Sequence, residues 1–283
     1  MNNFAYFIVS YNKAEFIPTY ELLKKHGCKY PIYIVVGEDD PKIELYKSTY
    51  ENLLVFDKQK YIPEVDDLGI YAKTHKVCTY SRLAVDDFAK DLGVKYIGYI
   101  FDDIENFQLR YRLKNGKIAS TKQFNLDKMI DIYIDLLSSS NSIYVVGPPV
   151  SSFYIGVNEK SIGKYSRNSA NFIIYDIDKP IGPYKSNVME DASLMMYNNQ
   201  IGHLTIFPFG MQVNCRPSKV VTDSYDTMTL LEFYEQIVIT CQQPVAFSPS
   251  VKTMPKRNFK RFYPCVIAEQ KRRHNEPKKK PLI

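Results

Sequence analysis

The sequence has no tryptophan, no Cys-x-x-Cys pair and no apolar run near the ~18 residues that a membrane span needs. Each absence removes a class. Without the long run there is no transmembrane helix to expect. The start, MNNFAYFIVSYNK, lacks the basic residues and small-residue cleavage site of a signal peptide, and reads as a first strand. The five cysteines (Cys28, Cys78, Cys215, Cys241 and Cys265) are scattered and odd in number, which argues against a disulfide framework and against zinc. Together these point to a reduced, cytoplasmic protein.

What is present is a chain of 283 residues, 45% hydrophobic and 24% charged, enough for one large domain or a domain with an appendage. Its aromatics are 23 Tyr and 16 Phe. Tyrosine offers an apolar face and a polar tip to rings such as sugars or bases. AT-rich codon usage, which raises Tyr, Phe, Lys, Asn and Ile together, accounts for the same excess. The net charge of +6 is unevenly spread. From Pro255 onward, ten Lys or Arg face Glu269 and Glu276, so this tail carries +8 and the rest of the chain −2. That asymmetry suits an end that touches a polyanion.

Apolar runs at 4–9, 31–37, 52–56 and 96–101 read as buried strands. Helices are expected through about residue 26, over a short stretch after Pro41, and over 76–91. Gly27 and Gly93 follow the first and last of these as helix stops. Later come a helix near 125–138, strands at 142–147, 171–176 and 203–209, and helices at 187–199 and 228–238. Beyond Gln242 the chain is rich in Pro, Ser and Lys and is expected to wrap the body, with disorder past about residue 270. Strands alternating with helices predict an α/β sandwich with a mainly parallel sheet.

Ligands of such sheets bind at the carboxyl ends of the strands. The residues there are Ser10, Tyr11, Asn12 and Lys13; Glu38, Asp39 and Asp40; and Asp102, Asp103 and Glu105. Adjacent carboxylates repel unless a cation neutralises them. A hard divalent ion accepts one or two carboxylates and fills its remaining positions with phosphate oxygens, which makes Asp102 and Asp103 candidate metal ligands. Asp-Asp is also a common turn or N-cap sequence, and this chain repeats it at 39–40, 66–67 and 86–87.

The order FIVSYNK, YIVVGEDDP, Ser81-Arg82-Leu83-Ala84 and YIGYIFDDI resembles the nucleotide-binding half of GT-A glycosyltransferases. In that family the last strand ends in a DxD motif holding a metal and a sugar-nucleotide diphosphate. Here Phe101 stands at the first Asp of that motif and Asp103 at the last. The stretch Asn187–Leu194 resembles the family's xED element, which implies an acceptor-side role for Glu190 or Asp191, the general base in inverting members. Complementing a helix dipole is the alternative for both. Arg82 reads either as a phosphate or sugar contact or as half of a surface salt bridge. His203 reads as a metal ligand or, at the start of an apolar strand, as a structural histidine.

The IFDDI strand end, SRNSANFIIYD and the basic tail are most similar to phage DNA-base glycosyltransferases related to the base J glucosyltransferase, which add arabinose or glucose to hydroxylated cytosine. The resemblance implies a GT-A type, Rossmann-like sandwich with a basic C-terminal extension. Residues 1–110 would be the nucleotide-sugar half, 111–242 the acceptor half of the same domain, and 243–283 the extension. It implies a UDP-sugar donor bound by Ser10, Tyr11, Asn12, Asp39, Arg82 and Asp102, with Mn²⁺ or Mg²⁺ on Asp102 and Asp103. The acceptor would be double-stranded DNA carrying hydroxylated cytosine, in the host cytoplasm if the chain is phage-encoded. Lys256, Arg257, Lys260, Arg261, Lys271, Arg272 and Arg273 would grip phosphates, with Phe259, Phe262 and Tyr263 among them to stack on bases. The other expectations are a GT-A enzyme acting on a surface polysaccharide or lipid-linked glycan, and a catalytically degenerate nucleic-acid-binding protein.

Overall fold

A computed structural model describes residues 3–65, 78–116, 118–150, 171–179, 181, 194, 198, 201–208 and 210–215. Of the expected helix at 187–199 only Leu194 and Asn198 are described, both helical, and the expected helix at 228–238 and the whole basic tail lie outside the described residues.

Strand β1 (Phe4–Val9) is buried along its full length, as a central strand covered on both faces must be. Its alternation divides the interior in two. Phe4, Tyr6 and Ile8 enter one core, and Ala5, Phe7 and Val9 enter the other. Helix α1 (Pro18–Lys25) follows, then β2 (Ile32–Gly37), α2 (Ile43–Thr49) and β3 (Leu53–Phe56). Gly27 closes α1 at φ +66, a left-handed conformation natural to glycine. A 3₁₀ helix spans Lys58–Glu64, and α3 (Cys78–Asp91) leads to β4 (Tyr96–Phe101).

Two strands that the sequence pattern did not suggest come next, β5 (Ile104–Arg112) and β6 (Ile118–Thr121). Helix α4 (Leu126–Ser138) is capped by Asn125, whose side chain accepts from the Lys128 amide. It buries Leu126, Ile130, Tyr133, Ile134 and Leu137, an i, i+4, i+7, i+8, i+11 stripe. Strands β7 (Ile143–Val146), β8 (Phe172–Asp176), β9 (Leu204–Ile206) and β10 (Met211–Cys215) complete the described elements.

Among the described residues the central sheet has seven strands in the order β3-β2-β1-β4-β8-β7-β9. β8 runs antiparallel to both of its neighbours, and the other pairings are parallel. The sheet is therefore mainly parallel, as expected, and draws strands from both sides of residue 110. A second sheet, β10-β5-β6, is antiparallel. Its Ile104, Phe107, Met211 and Val213 join α4 in the first core, whereas α3 lies against the second core through Tyr80, Ala84, Val85 and Ala89.

One of the repeated Asp-Asp pairs, Asp86-Asp87, is explained by this packing. Asp86 accepts from the Tyr175 hydroxyl at 2.5 Å, and Asp87 accepts from Lys60 at 2.6 Å and the Tyr61 hydroxyl at 2.9 Å. They fasten α3 to β8 and to the 3₁₀ helix. Burial pushes the Asp86 carboxyl up to about 6. The pair at 66–67 lies outside the described residues.

Close strand packing also fixes a glycine. A Cβ on Gly147, just past β7, would fall inside contact distance of the Phe172 carbonyl, which is backbone and cannot swing aside. Gly147→Ala should therefore destabilise the fold by about 1–3 kcal/mol. A urea titration checks this, and an unchanged midpoint would contradict the packing of β7 against β8.

Candidate active site

The register brings the ends of β1, β2 and β4 level. Val9 pairs with Val35 on one side and with Phe101 on the other. The loop after β1, the acidic turn after β2 and the Asp102-Asp103 turn after β4 consequently share one edge of the sheet.

At the centre of that edge is Asp102, 8% exposed. Its Oδ2 accepts from Ser10 Oγ at 2.8 Å and its Oδ1 from Lys13 Nζ at 2.7 Å. Tyr46, fully buried on α2, supports the same loop. Its hydroxyl lies 2.8 Å from Ser10 Oγ and accepts from the Lys13 amide at 3.0 Å. The loop also turns through Asn12 at φ 56, a conformation that asparagine tolerates better than most residues. The Asn12 amide donates to Asp40 Oδ2, and the Lys42 amide to Asp40 Oδ1, both at 2.8 Å. Asp40 is thus a buried knot between the first two loops. Asp39 meets the buried Lys58 ammonium at 2.6 Å, and that ammonium stands 5.5 Å from the centre of the Tyr11 ring. Burial, followed by the charges of Asp39 and Asp40, pushes the Tyr11 phenol up.

Asp103 differs from its neighbour. Its Oδ1 is buried and has no hydrogen-bond partner. Burial first, and the Asp102 charge second, push its carboxyl up to about 6, with Lys13 pulling the other way. Within the described Asp-Asp pairs, it alone has a buried oxygen without a donor. Asp102 and Asp103, expected together as metal ligands, are therefore not equivalent. Both Asp102 oxygens hold protein donors, whereas Asp103 Oδ1 has none and remains an oxygen donor of the type that hard cations take. Among the described residues no three His, Cys, Asp or Glu side chains gather into a complete metal cage. One carboxylate, with phosphate and water for the rest, is the kind of donor set Mg²⁺ accepts.

Arg82 is not on the surface, which overturns its reading as half of a surface salt bridge. It is fully buried, with its guanidinium 4.2 Å from the centre of the Tyr99 ring and 5.7 Å from that of Phe101. It supports the aromatic residues at the end of β4 from beneath. His203 stacks on Tyr144 and precedes β9, which runs parallel to β7. That places it at the opposite edge of the sheet, about 20 Å from Asp103 at the rise of a strand. It is thereby excluded as a ligand to the same ion. Glu190, Asp191, Lys256, Arg257, Lys260, Arg261, Lys271, Arg272 and Arg273 all lie outside the described residues.

Sequence reasoning missed the pairing of Lys13 with Asp102, although Lys13 stood in the loop it singled out. It also missed the polar face of the small sheet that begins beside Asp103. There Asn214 Nδ2 donates to Asn106 Oδ1 at 2.8 Å, Arg110 Nε donates to Gln212 Oε1 at 2.6 Å, and Gln212 Nε2 donates to Gln108 Oε1. Cys215, opposite Ile104, has its thiol pushed up to about 12, by burial first and then by Asp103 and Glu105. A thiol so held is unreactive at neutral pH.

The profile of the TET-associated glycosyltransferase family matches residues 4–213. No curated protein matches the chain. Among solved structures, the chain is similar to glucosyl-3-phosphoglycerate synthase from Mycobacterium tuberculosis in complex with Mg²⁺ and uridine-diphosphate. The identity is 10% and the TM-score 0.44, covering 85% of this chain and 80% of that one. The UDP complex of that synthase gives 9%, 0.44, 85% and 80% in the same order. A197 from STIV gives 10% identity and a TM-score of 0.39, over 77% of this chain and 87% of that one.

A carboxylate with one buried oxygen that has no donor is a stability liability. Because the folded pKa of Asp103 is raised, its favourable contribution is complete below the ordinary aspartate value. It is lost as the pH climbs through about 6. At pH 7 the ligand-free protein carries the whole penalty. Asp103→Asn should then raise stability at pH 7 by about 1–2 kcal/mol, the remainder being screened at the carboxylate's exposed edge. The gain should vanish by pH 4. Thermal melts of both proteins at the two pH values check this, and equal gains at both would contradict it.

Proposed function

The chain belongs to the TET-associated glycosyltransferase family, and from that premise we propose that this glycosyltransferase moves a sugar from a UDP-sugar to a hydroxyl of a modified cytosine in DNA. The observation that carries the donor side of this reading is the partner-free Asp103 oxygen at the carboxyl end of β4, next to the Lys13–Asp102 pair.

Asp103 would hold Mg²⁺ or Mn²⁺ against the donor diphosphate. Such an ion, when bound, offsets the charge that builds on the departing nucleotide. Asp102 keeps Lys13 in place, and the half-exposed Lys13 ammonium would pair with a phosphate oxygen of the donor. Ser10 and Tyr46 brace that arrangement. Tyr11, Asn12 and Asp39 line the neighbouring stretch of the same edge, the place for the nucleoside. On the acceptor side, Glu190 or Asp191 would take the proton of the attacking hydroxyl. In this scheme residues 1–110 bind the nucleotide-sugar, 111–242 the acceptor, and 243–283 the nucleic acid. A base in duplex DNA must leave the stack to reach such a site.

Support for a DNA acceptor comes from the ten basic residues of the final 29 and from the resemblance of IFDDI and SRNSANFIIYD to DNA-base transferases. The direct test incubates hydroxylated-cytosine DNA with a panel of UDP-sugars and reads the nucleosides by mass spectrometry. One sugar should add a glycosyl mass to the modified cytosine. EDTA should abolish the product, and Mn²⁺ or Mg²⁺ should restore it. Full turnover in excess chelator would refute the metal role, and no glycosylated nucleoside with any donor would refute the acceptor.

The tail separates DNA from other acceptors. Truncation after Glu269 removes six Lys or Arg and one acid, Glu276. The shortened protein should bind duplex DNA more weakly and with a shallower dependence of affinity on salt, while its UDP-sugar affinity stays the same. Fluorescence anisotropy across a salt series measures both properties, and identical slopes would mean that the tail meets no phosphate.

A further inference from the structure

Asp103 has no side-chain donor of its own on Oδ1, so the direction of that carboxylate is left to the turn that carries it. One residue of α1 holds that turn. Thr19 is fully buried. Its hydroxyl donates to the Phe101 carbonyl at 2.6 Å and accepts from the Ile104 amide at 2.9 Å. Its own amide donates to the Asp102 carbonyl at 3.3 Å. Main-chain groups on both sides of Asp103 are thus tied to a single side chain that comes from a different element. The chemistry is specific, because a hydroxyl donates and accepts at one atom. Valine has the same shape and can do neither. Pro18, at the start of α1, brings no amide hydrogen to compete for these acceptors.

We propose that Thr19 is a positioning residue that sets the aim of the Asp103 carboxylate and, through it, the affinity of the site for a divalent cation. This rests on the reading of Asp103 as the cation ligand. Asp102 is held separately through its side chain by Ser10 and Lys13, so loosening the turn acts on Asp103 in particular. Partners that orient a metal ligand from one step behind it typically change metal affinity by about 10–100-fold when removed.

The experiment compares wild type, Thr19→Val and Thr19→Ser. Mn²⁺ binding is followed by electron paramagnetic resonance at saturating UDP, and UDP binding in excess EDTA by calorimetry. All measurements are made at a temperature where melting curves show each variant folded. Thr19→Val should lose about 10-fold or more in Mn²⁺ affinity, Thr19→Ser should restore it, and UDP binding in EDTA should be the same in all three. If Thr19→Val does not fold, Thr19→Ala, which removes the hydroxyl and leaves room, takes its place. Wild-type Mn²⁺ affinity in a variant without the hydroxyl overturns the proposal and leaves the Asp103 reading intact. Absence of Mn²⁺ binding in the wild type overturns both.

Discussion

Two carboxylates side by side at a strand end repel each other, and the fold resolves that repulsion unevenly. Asp102 receives a cation and a hydroxyl from the loop after β1, while Asp103 keeps its charge with one buried oxygen unserved. The rest of the ligand edge is arranged around this division. Tyr46 on α2 fixes the loop that delivers Ser10 and Lys13, Asp40 ties that loop to the next, and α1 grips the turn itself. Satisfying both carboxylates would give a more stable protein. A buried group whose pKa is displaced by desolvation and a like charge, at the carboxyl edge of an α/β sheet, is where function is expected on physical grounds.

Much of the large sheet could be read from the chain because its strands are covered on both faces. FAYFIV, IYIVV, YIGYIF and FIIYD are continuous apolar runs, and α4 shows its stripe openly. The small sheet could not be read in the same way. IENFQLRYR and MQVNC alternate, but their polar positions are Asn, Gln and Arg, which resemble loop residues until their cross-strand partners are known. The antiparallel direction of β8 was equally hidden, since FIIYD has the same apolar pattern whichever way it runs.

The cluster at the strand ends was legible as a place, but the contacts within it were not. Strand ends and acidic pairs drew attention to Ser10, Asp39, Asp102 and Asp103, yet local sequence treats the members of an Asp-Asp pair alike. What distinguishes Asp102 from Asp103 is Lys13, and what holds the turn around Asp103 is Thr19. Neither relation leaves a trace within ten residues of the turn. Arg82 shows the opposite error, because a charged residue on a helix suggests the surface until Tyr99 and Phe101 are found to enclose it.

The contacts that make the site also span a long stretch of chain. Ser10 and Asp102 are 92 positions apart, Lys13 and Asp102 are 89, and Thr19 reaches Ile104 across 85. None of them can form before β4 docks beside β1, with β2 and β3 already accounted for on the other flank. Closing so large a loop is entropically costly at the outset and is repaid only when the strands have zipped together. During synthesis the amino-terminal strand must therefore wait, its apolar edge unpaired, until more than a hundred residues have emerged. A nascent chain that ends before residue 100 lacks Asp102 and Asp103 and, with them, the half of the first core that α4, β8 and β10 supply.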